Sequence, residues 1–183
     1  MPHLVYLSYP SEVPSVSIPQ WASSLISSPK SSNLRIYVPG QSITPELREE
    51  LSARKNGSEI VHSFCTRLAR GYSTRLIDGL VKGDPELIIK AVSASPLSVE
   101  LRLLQDLWIL SRADVLLMDC DYLGRGRSGT EALLAHGLIP SIGITDSVLI
   151  DPWLYYLLDS TVKSHLCLDS LLSLLSGIGK NQD

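Results

Sequence analysis

The sequence predicts an α/β protein built on a mostly parallel sheet of about five strands. Two observations carry this expectation. Short apolar runs bounded by turn residues alternate with segments of helical spacing along the chain. One run, "DVLLMD" at 114–119, is apolar enough to be buried on both faces, as the strands of a parallel sheet are. Alternating strands and helices of this kind lay down a parallel sheet covered by helices.

In chain order, "LVYL" at 4–7 reads as a buried strand running into the loop "SYPSEVPS". "IPQWASSLIS" at 18–27 spaces Ile18, Trp21, Ala22 and Leu25 as a helix. "LRIYVPG" at 34–40 is a second strand, closed by Pro39 and Gly40. The next helix opens with Thr44 as N-cap, Pro45 at its first position and Glu46 in its first turn, and stops at Gly57. Residues 58–96 give a mixed signal: partial helical spacing at Ile60, Val61, Phe64 and Leu68, then "ELIIKAV", which fits helix or strand. A helix follows Pro96, with Leu103, Leu104, Leu107 and Leu110 on one stripe. After the 114–119 strand comes a glycine-bearing loop, then a helix from about Ser128 to His136 ended by Gly137. "IPSIGI" at 139–144 is a strand. "DPWLYYLLDS" is a helix capped by Asp151 with Pro152 at its first position. "SHLCL" at 164–168 suggests a last short strand, and "DSLLSLLSG" a final helix bounded by Asp169 and Gly177.

The chain of 183 residues is expected to form a single domain, 1–183, and its 44% hydrophobic content is enough for a sizeable core. A net charge of −3 and the lack of a basic face argue against nucleic acid as a partner. The apolar runs are too short for a membrane span, and the N-terminus lacks a basic leader, so no membrane partner is expected and the cytoplasm is the expected location. Cys65, Cys120 and Cys167 form no CxxC pair, and His3, His62, His136 and His165 show no ligand spacing, so no metal and no cofactor is expected. The three tryptophans and Tyr155–Tyr156 read as core or interface aromatics.

In a parallel sheet the ligand site lies beyond the carboxyl ends of the strands. The most informative stretch there is "DCDYLGRGRSGTEALLAHG" at 119–137. It lacks the Gly-Lys-Ser/Thr of a nucleoside-triphosphate loop. Its glycines at 124, 126 and 129 formally spell G-x-G-x-x-G, but Arg125, Arg127 and Glu131 put bulk and an acid where a dinucleotide's pyrophosphate would sit. Glu131 opens the following helix, where the macrodipole favours an acid whatever its further role.

Residues 101–145, with a few residues at the start of the chain, resemble the nucleoside 2-deoxyribosyltransferase family, including its 2′-deoxynucleoside 5′-phosphate N-hydrolase branch. The matching positions are Asp106, Ala113–Asp114, Gly129, Glu131, Ala135, Gly137 and Ile142, with Tyr6 in "VYLS". The resemblance implies a Rossmann/flavodoxin-like three-layer fold and cleavage of the N-glycosidic bond of a nucleoside or nucleoside monophosphate. It implies Glu131 as nucleophile, Tyr6 orienting its carboxylate and Asp106 hydrogen-bonding or protonating the leaving base. It also implies a homodimer or higher homo-oligomer. Retaining glycosyl chemistry needs such a carboxylate nucleophile together with an acid.

Around these residues several readings stand side by side. Asp106 is either that acid or a solvated helix carboxylate at the edge of the apolar stripe. Asp114 starts its strand and reads as structural. Asp119 and Asp121 are either sugar-binding or turn acids. Tyr9 either stacks on a base or lines the pocket, or is an ordinary core or interface aromatic. The family's acidic turn before the Glu is replaced here by Arg125–Ser128, and its phosphate loop after the first strand by "SYPSE". Arg125, Arg127, Ser128 and Gly129 offer a substitute phosphate site, through guanidinium and helix N-terminal N–H groups. Leu134 occupies the Glu position of the lysine-decarboxylase-like phosphoribohydrolase pattern, which argues against that family. A non-catalytic nucleotide-binding or sensing module and an NAD-cleaving domain are the remaining alternatives.

Overall fold

His3–Ser8 form β1 because five successive residues from Leu4 are buried, as in a strand covered on both faces. The computed structural model describes residues 2–9, 18–39, 44–54, 106, 108–121, 127–147 and 150–178. The chain divides into two compact units, Met1–Pro39 with Ala113–Asp183, and Gly40–Arg112.

The first unit continues with α1 (Gln20–Ser27), a 3₁₀ turn at Pro29–Ser31 and β2 (Leu34–Tyr37). In the second unit, α2 (Pro45–Ala53) starts as expected: the Thr44 hydroxyl accepts the Leu47 N–H at 3.2 Å and Pro45 follows. It ends at Ala53, ahead of the predicted stop at Gly57, which lies outside the described residues with 58–96, Leu103, Leu104 and Leu107. Residues 106 and 108–110 are helical. Back in the first unit come β3 (Val115–Asp119), α3 (Arg127–Ala135), β4 (Ser141–Ile144), α4 (Pro152–Leu157) and β5 (Ser160–Val162). A 3₁₀ turn at Ser164–Leu166 leads into α5 (Cys167–Ile178).

Among the described residues all strand pairs are parallel and the order is β2-β1-β3-β4-β5. This is a flavodoxin-like three-layer α/β fold, with the chain reversing its direction of travel across the sheet between β1 and β3. Period-two alternation sorts the strands' side chains. Val5, Leu7 and Tyr9 join Val115, Leu117, Ile142 and Ile144 in a cluster covered by Ala22 and Leu25 of α1 and Cys167, Leu171 and Leu175 of α5. Each fully buried aliphatic side chain there contributes about 1.5–3 kcal/mol. Tyr6 and Ser8 alternate with these residues and face the opposite layer, to which α3 belongs.

Two sequence expectations are corrected. The segment 164–168 is not a strand, and the last strand is the three-residue β5 just before it. The helix predicted to start at Asp169 begins at Cys167, because Cys167, Leu171 and Leu175 stand at helical spacing and all bury on the core. Asp169 is therefore a first-turn acid and Gly177 lies inside the helix. Other boundaries fall close to the expectation. Asp151 caps α4 by accepting the Trp153 N–H at 2.8 Å, and Gly137 follows α3 with φ +70°, the left-handed conformation glycine adopts freely.

Gly143 in β4 has a different reason to be glycine. A β-carbon there would lie 2.7 Å from Leu158 Cδ1, 2.8 Å from Cys120 Sγ and 3.1 Å from Thr161 Cγ2. Gly143→Ala is expected to cost about 1–3 kcal/mol by overpacking, since three neighbours must give at once. A urea-denaturation midpoint checks it, and an unchanged midpoint would mean that the β4–β5 edge adjusts freely.

Candidate functional site

The carboxyl ends of β1 and β3 bring the first group of residues together. Glu131 sits on the second turn of α3 and is 1% exposed. Its two oxygens are held by separate donors from β1. The Tyr6 hydroxyl donates to Oε1 at 2.7 Å and the Ser8 hydroxyl donates to Oε2 at 2.5 Å. Tyr6 and Ser8 are completely buried, and the Tyr6 ring packs against Tyr37 at 5.6 Å between centroids. The site lies beside the β1–β3 switch point, where a flavodoxin-like sheet opens a crevice for ligands.

Strand alternation places Asp119 on the other face. Asp119, buried to 3% exposure, lines a cavity of about 620 Å³ with Trp21, Leu25, Asp121, Asp146 and His165. None of Tyr6, Ser8 or Glu131 lines that cavity. The carboxyl edge of the sheet thus carries two features, a clamped glutamate on the α3 side and an acidic cavity on the α1/α5 side.

Asp121 has a local occupation. Its carboxylate accepts the Thr145 hydroxyl, the Asp146 N–H at 3.0 Å and the Ser147 N–H at 3.0 Å, stapling the loop after β3 to the loop after β4. Burial and the nearby Asp146 oppose its ionisation, but these hydrogen bonds outweigh them and hold the carboxyl below its ordinary value of 3.8. The unfolded chain therefore takes up the proton first as pH falls. The staple's stabilisation is complete above the ordinary value and is lost as pH drops through the folded value. Asp121→Asn is expected to lower stability at neutral pH and to converge on the native protein in acid. Urea titrations down through the carboxylate range check this, and a pH-independent difference would remove the charge from the explanation.

Asp114 is structural, as its position suggested: its Oδ2 accepts the Leu4 N–H at 2.7 Å, tying the amino ends of β1 and β3 together. Asp106 belongs to the second unit and is buried at 1% exposure, so the solvated alternative does not hold. Tyr9 is buried in the core cluster on the α1/α5 face. Arg125 lies outside the described residues, as do the side chains of Arg127 and Ser128, while Gly129 is a half-buried residue of α3. Cys120 follows β3, and burial with the charges of Asp119 and Asp121 pushes its thiol up to about 12, so it is held as a neutral thiol. Ser8 had no sequence signal: a serine ending an apolar strand looks like the first residue of a loop.

Among the described residues no cluster of three His, Cys, Asp or Glu side chains could hold a metal ion, and no helix is long and apolar enough to cross a membrane. No protein-family model, curated protein or solved structure matches this chain.

Proposed function

We propose that the protein cleaves the N-glycosidic bond of a nucleoside or nucleoside monophosphate, with Glu131 as nucleophile. The observation that carries this reading is the two-donor clamp on a buried glutamate beside the sheet's switch point. A purely helix-capping acid would be expected to face solvent or its own helix's N–H groups. This one is withdrawn from water and aimed at β1 by side chains from another element.

In the first step a Glu131 oxygen attacks the anomeric carbon. The bond from that carbon to the base nitrogen breaks, its electron pair goes to the nitrogen, and the base takes up a proton. In the second step water, or another base, attacks the same carbon. The bond to Glu131 breaks, the carboxylate leaves with the electron pair, and the attacking group gives up its proton to solvent. Two displacements retain the anomeric configuration. Asp106 is assigned to the leaving base on the resemblance alone.

The protein would act in the cytoplasm as a homodimer or higher homo-oligomer. Support for an oligomer comes from α4, where Trp153, Tyr155 and Tyr156 are 77%, 63% and 71% exposed, an aromatic surface of the kind interfaces use. The leucines of α5, by contrast, are partly spent in the core.

The test is release of free base from a panel of nucleosides and their monophosphates, by the native protein and by Glu131→Gln. Binding without turnover would favour a sensing module instead, and turnover of NAD alone would favour an NAD-cleaving domain.

A further inference from the structure

We propose that Ser8 is the releasable half of the clamp, so that Oε2 of Glu131 is the oxygen that forms the bond to the sugar and Ser8 assists its departure. This rests on the reaction proposed above and assigns its two steps to particular atoms.

The two donors differ in what they can do. The Tyr6 hydroxyl oxygen sits on a fully buried ring packed against Tyr37, and moving that oxygen away from Oε1 would require moving the ring through close-packed surroundings. The Ser8 hydroxyl leaves Oε2 by rotation about one side-chain bond between staggered positions. Tyr6 is therefore the fixed donor, which assigns Oε1 to orientation and Oε2 to chemistry.

The signs of the two steps then differ. In the first, Oε2 loses negative charge as it bonds to the anomeric carbon, so a hydrogen bond from Ser8 holds the attack back and must be released. In the second, the bond between Oε2 and the anomeric carbon breaks and charge returns to Oε2. A hydroxyl poised at that atom stabilises the developing charge at a prearranged position. Ser8 thus opposes formation of the glycosyl-enzyme and favours its breakdown. A serine that only fills space would not split the steps in this way.

The experiment is rapid-quench kinetics on the full-length protein and its Ser8→Ala and Ser8→Thr variants, with intact-protein mass to detect glycosyl-enzyme. In Ser8→Ala the first release of base is expected to be no slower than in the native protein. Breakdown should slow by about tenfold or more, as removal of a charge-assisted hydrogen bond implies. The adduct should then accumulate and a burst of base appear. The acid limb of the kcat/KM profile should move to higher pH, since a donor that favours the charged carboxylate is gone. Ser8→Thr keeps the hydroxyl and should restore native behaviour. Equal slowing of both steps, or no burst and an unmoved acid limb, would overturn the assignment.

If the native protein turns over no nucleoside, the proposed reaction fails while the clamp is still measurable. Carboxyl-carbon NMR of labelled Glu131 would show it titrating at higher pH in Ser8→Ala than in the native protein or Ser8→Thr. Identical titration in all three would overturn the clamp as well.

Discussion

Glu131→Gln is expected to reduce release of free base by about a thousandfold or more while leaving the protein folded. The loss follows from the chemistry: an amide oxygen is far too weak a nucleophile to form the glycosyl-enzyme, and removing a nucleophile costs several factors of ten, each about 1.4 kcal/mol of barrier. The folded state should survive because the side chain keeps its shape in a site where it is 1% exposed. Tyr6 and Ser8 each carry a hydroxyl that can accept as well as donate. One can therefore turn to receive the new amide N–H while the other still donates to the amide oxygen. A buried carboxylate also carries a desolvation cost that the neutral amide avoids. The expected stability change is about 1–2 kcal/mol in either direction. Single-turnover assays and urea denaturation on the same preparation test both halves. Full activity in Glu131→Gln would end the nucleophile assignment, and a global loss of structure would make the activity result uninformative, which is why the two are measured together.

How much of this site was legible in the sequence differs by residue, for physical reasons. The sheet was readable because its strands are short apolar runs, and β3 in particular is buried throughout. β5 was not, since three residues give no period to detect, and the apolar Leu166–Leu168 stretch beside it looked more strand-like. The placement of Tyr9 follows from strand alternation: with Val5 and Leu7 on the α1/α5 core, Tyr9 falls on the same side. Tyr6 and Glu131 stand 125 residues apart, a separation no periodicity bridges, and only the family resemblance put them together. Ser8 was invisible for a further reason. Hydroxyl residues before turn-like segments are commonplace, and what distinguishes this one is a partner on α3 that tertiary packing alone supplies. Asp121 illustrates the converse: an acid in a glycine-bearing loop invites a ligand role, whereas its carboxylate closes that loop onto the one after β4.

Of the substitutions considered, Tyr6→Ala should show the largest stability effect. Its side chain is among the largest that are fully buried, and it contributes both a ring to the packing and a hydroxyl to Glu131. Tyr6→Ala removes the contact with Tyr37 and leaves a void beneath α3, at an expected cost of about 3–5 kcal/mol. Against a total stability of about 5–15 kcal/mol for a typical domain, that is enough to leave a marginal fold largely unfolded. Tyr6→Phe separates the ring from the hydroxyl. It retains the packing and takes one donor from a buried carboxylate oxygen, at about 1–3 kcal/mol. On activity it should lower turnover by about ten- to a hundredfold, because Oε1 loses its anchor and the carboxylate its fixed orientation. Unlike Ser8→Ala, it should slow both steps, since the anchor is needed whether Oε2 is attacking or leaving. Urea midpoints for the three proteins and step-resolved kinetics for Tyr6→Phe test this. If Tyr6→Phe turns over as the native protein does, the hydroxyl belongs to folding alone, and Glu131 is oriented by its other partners, Ser8 among them.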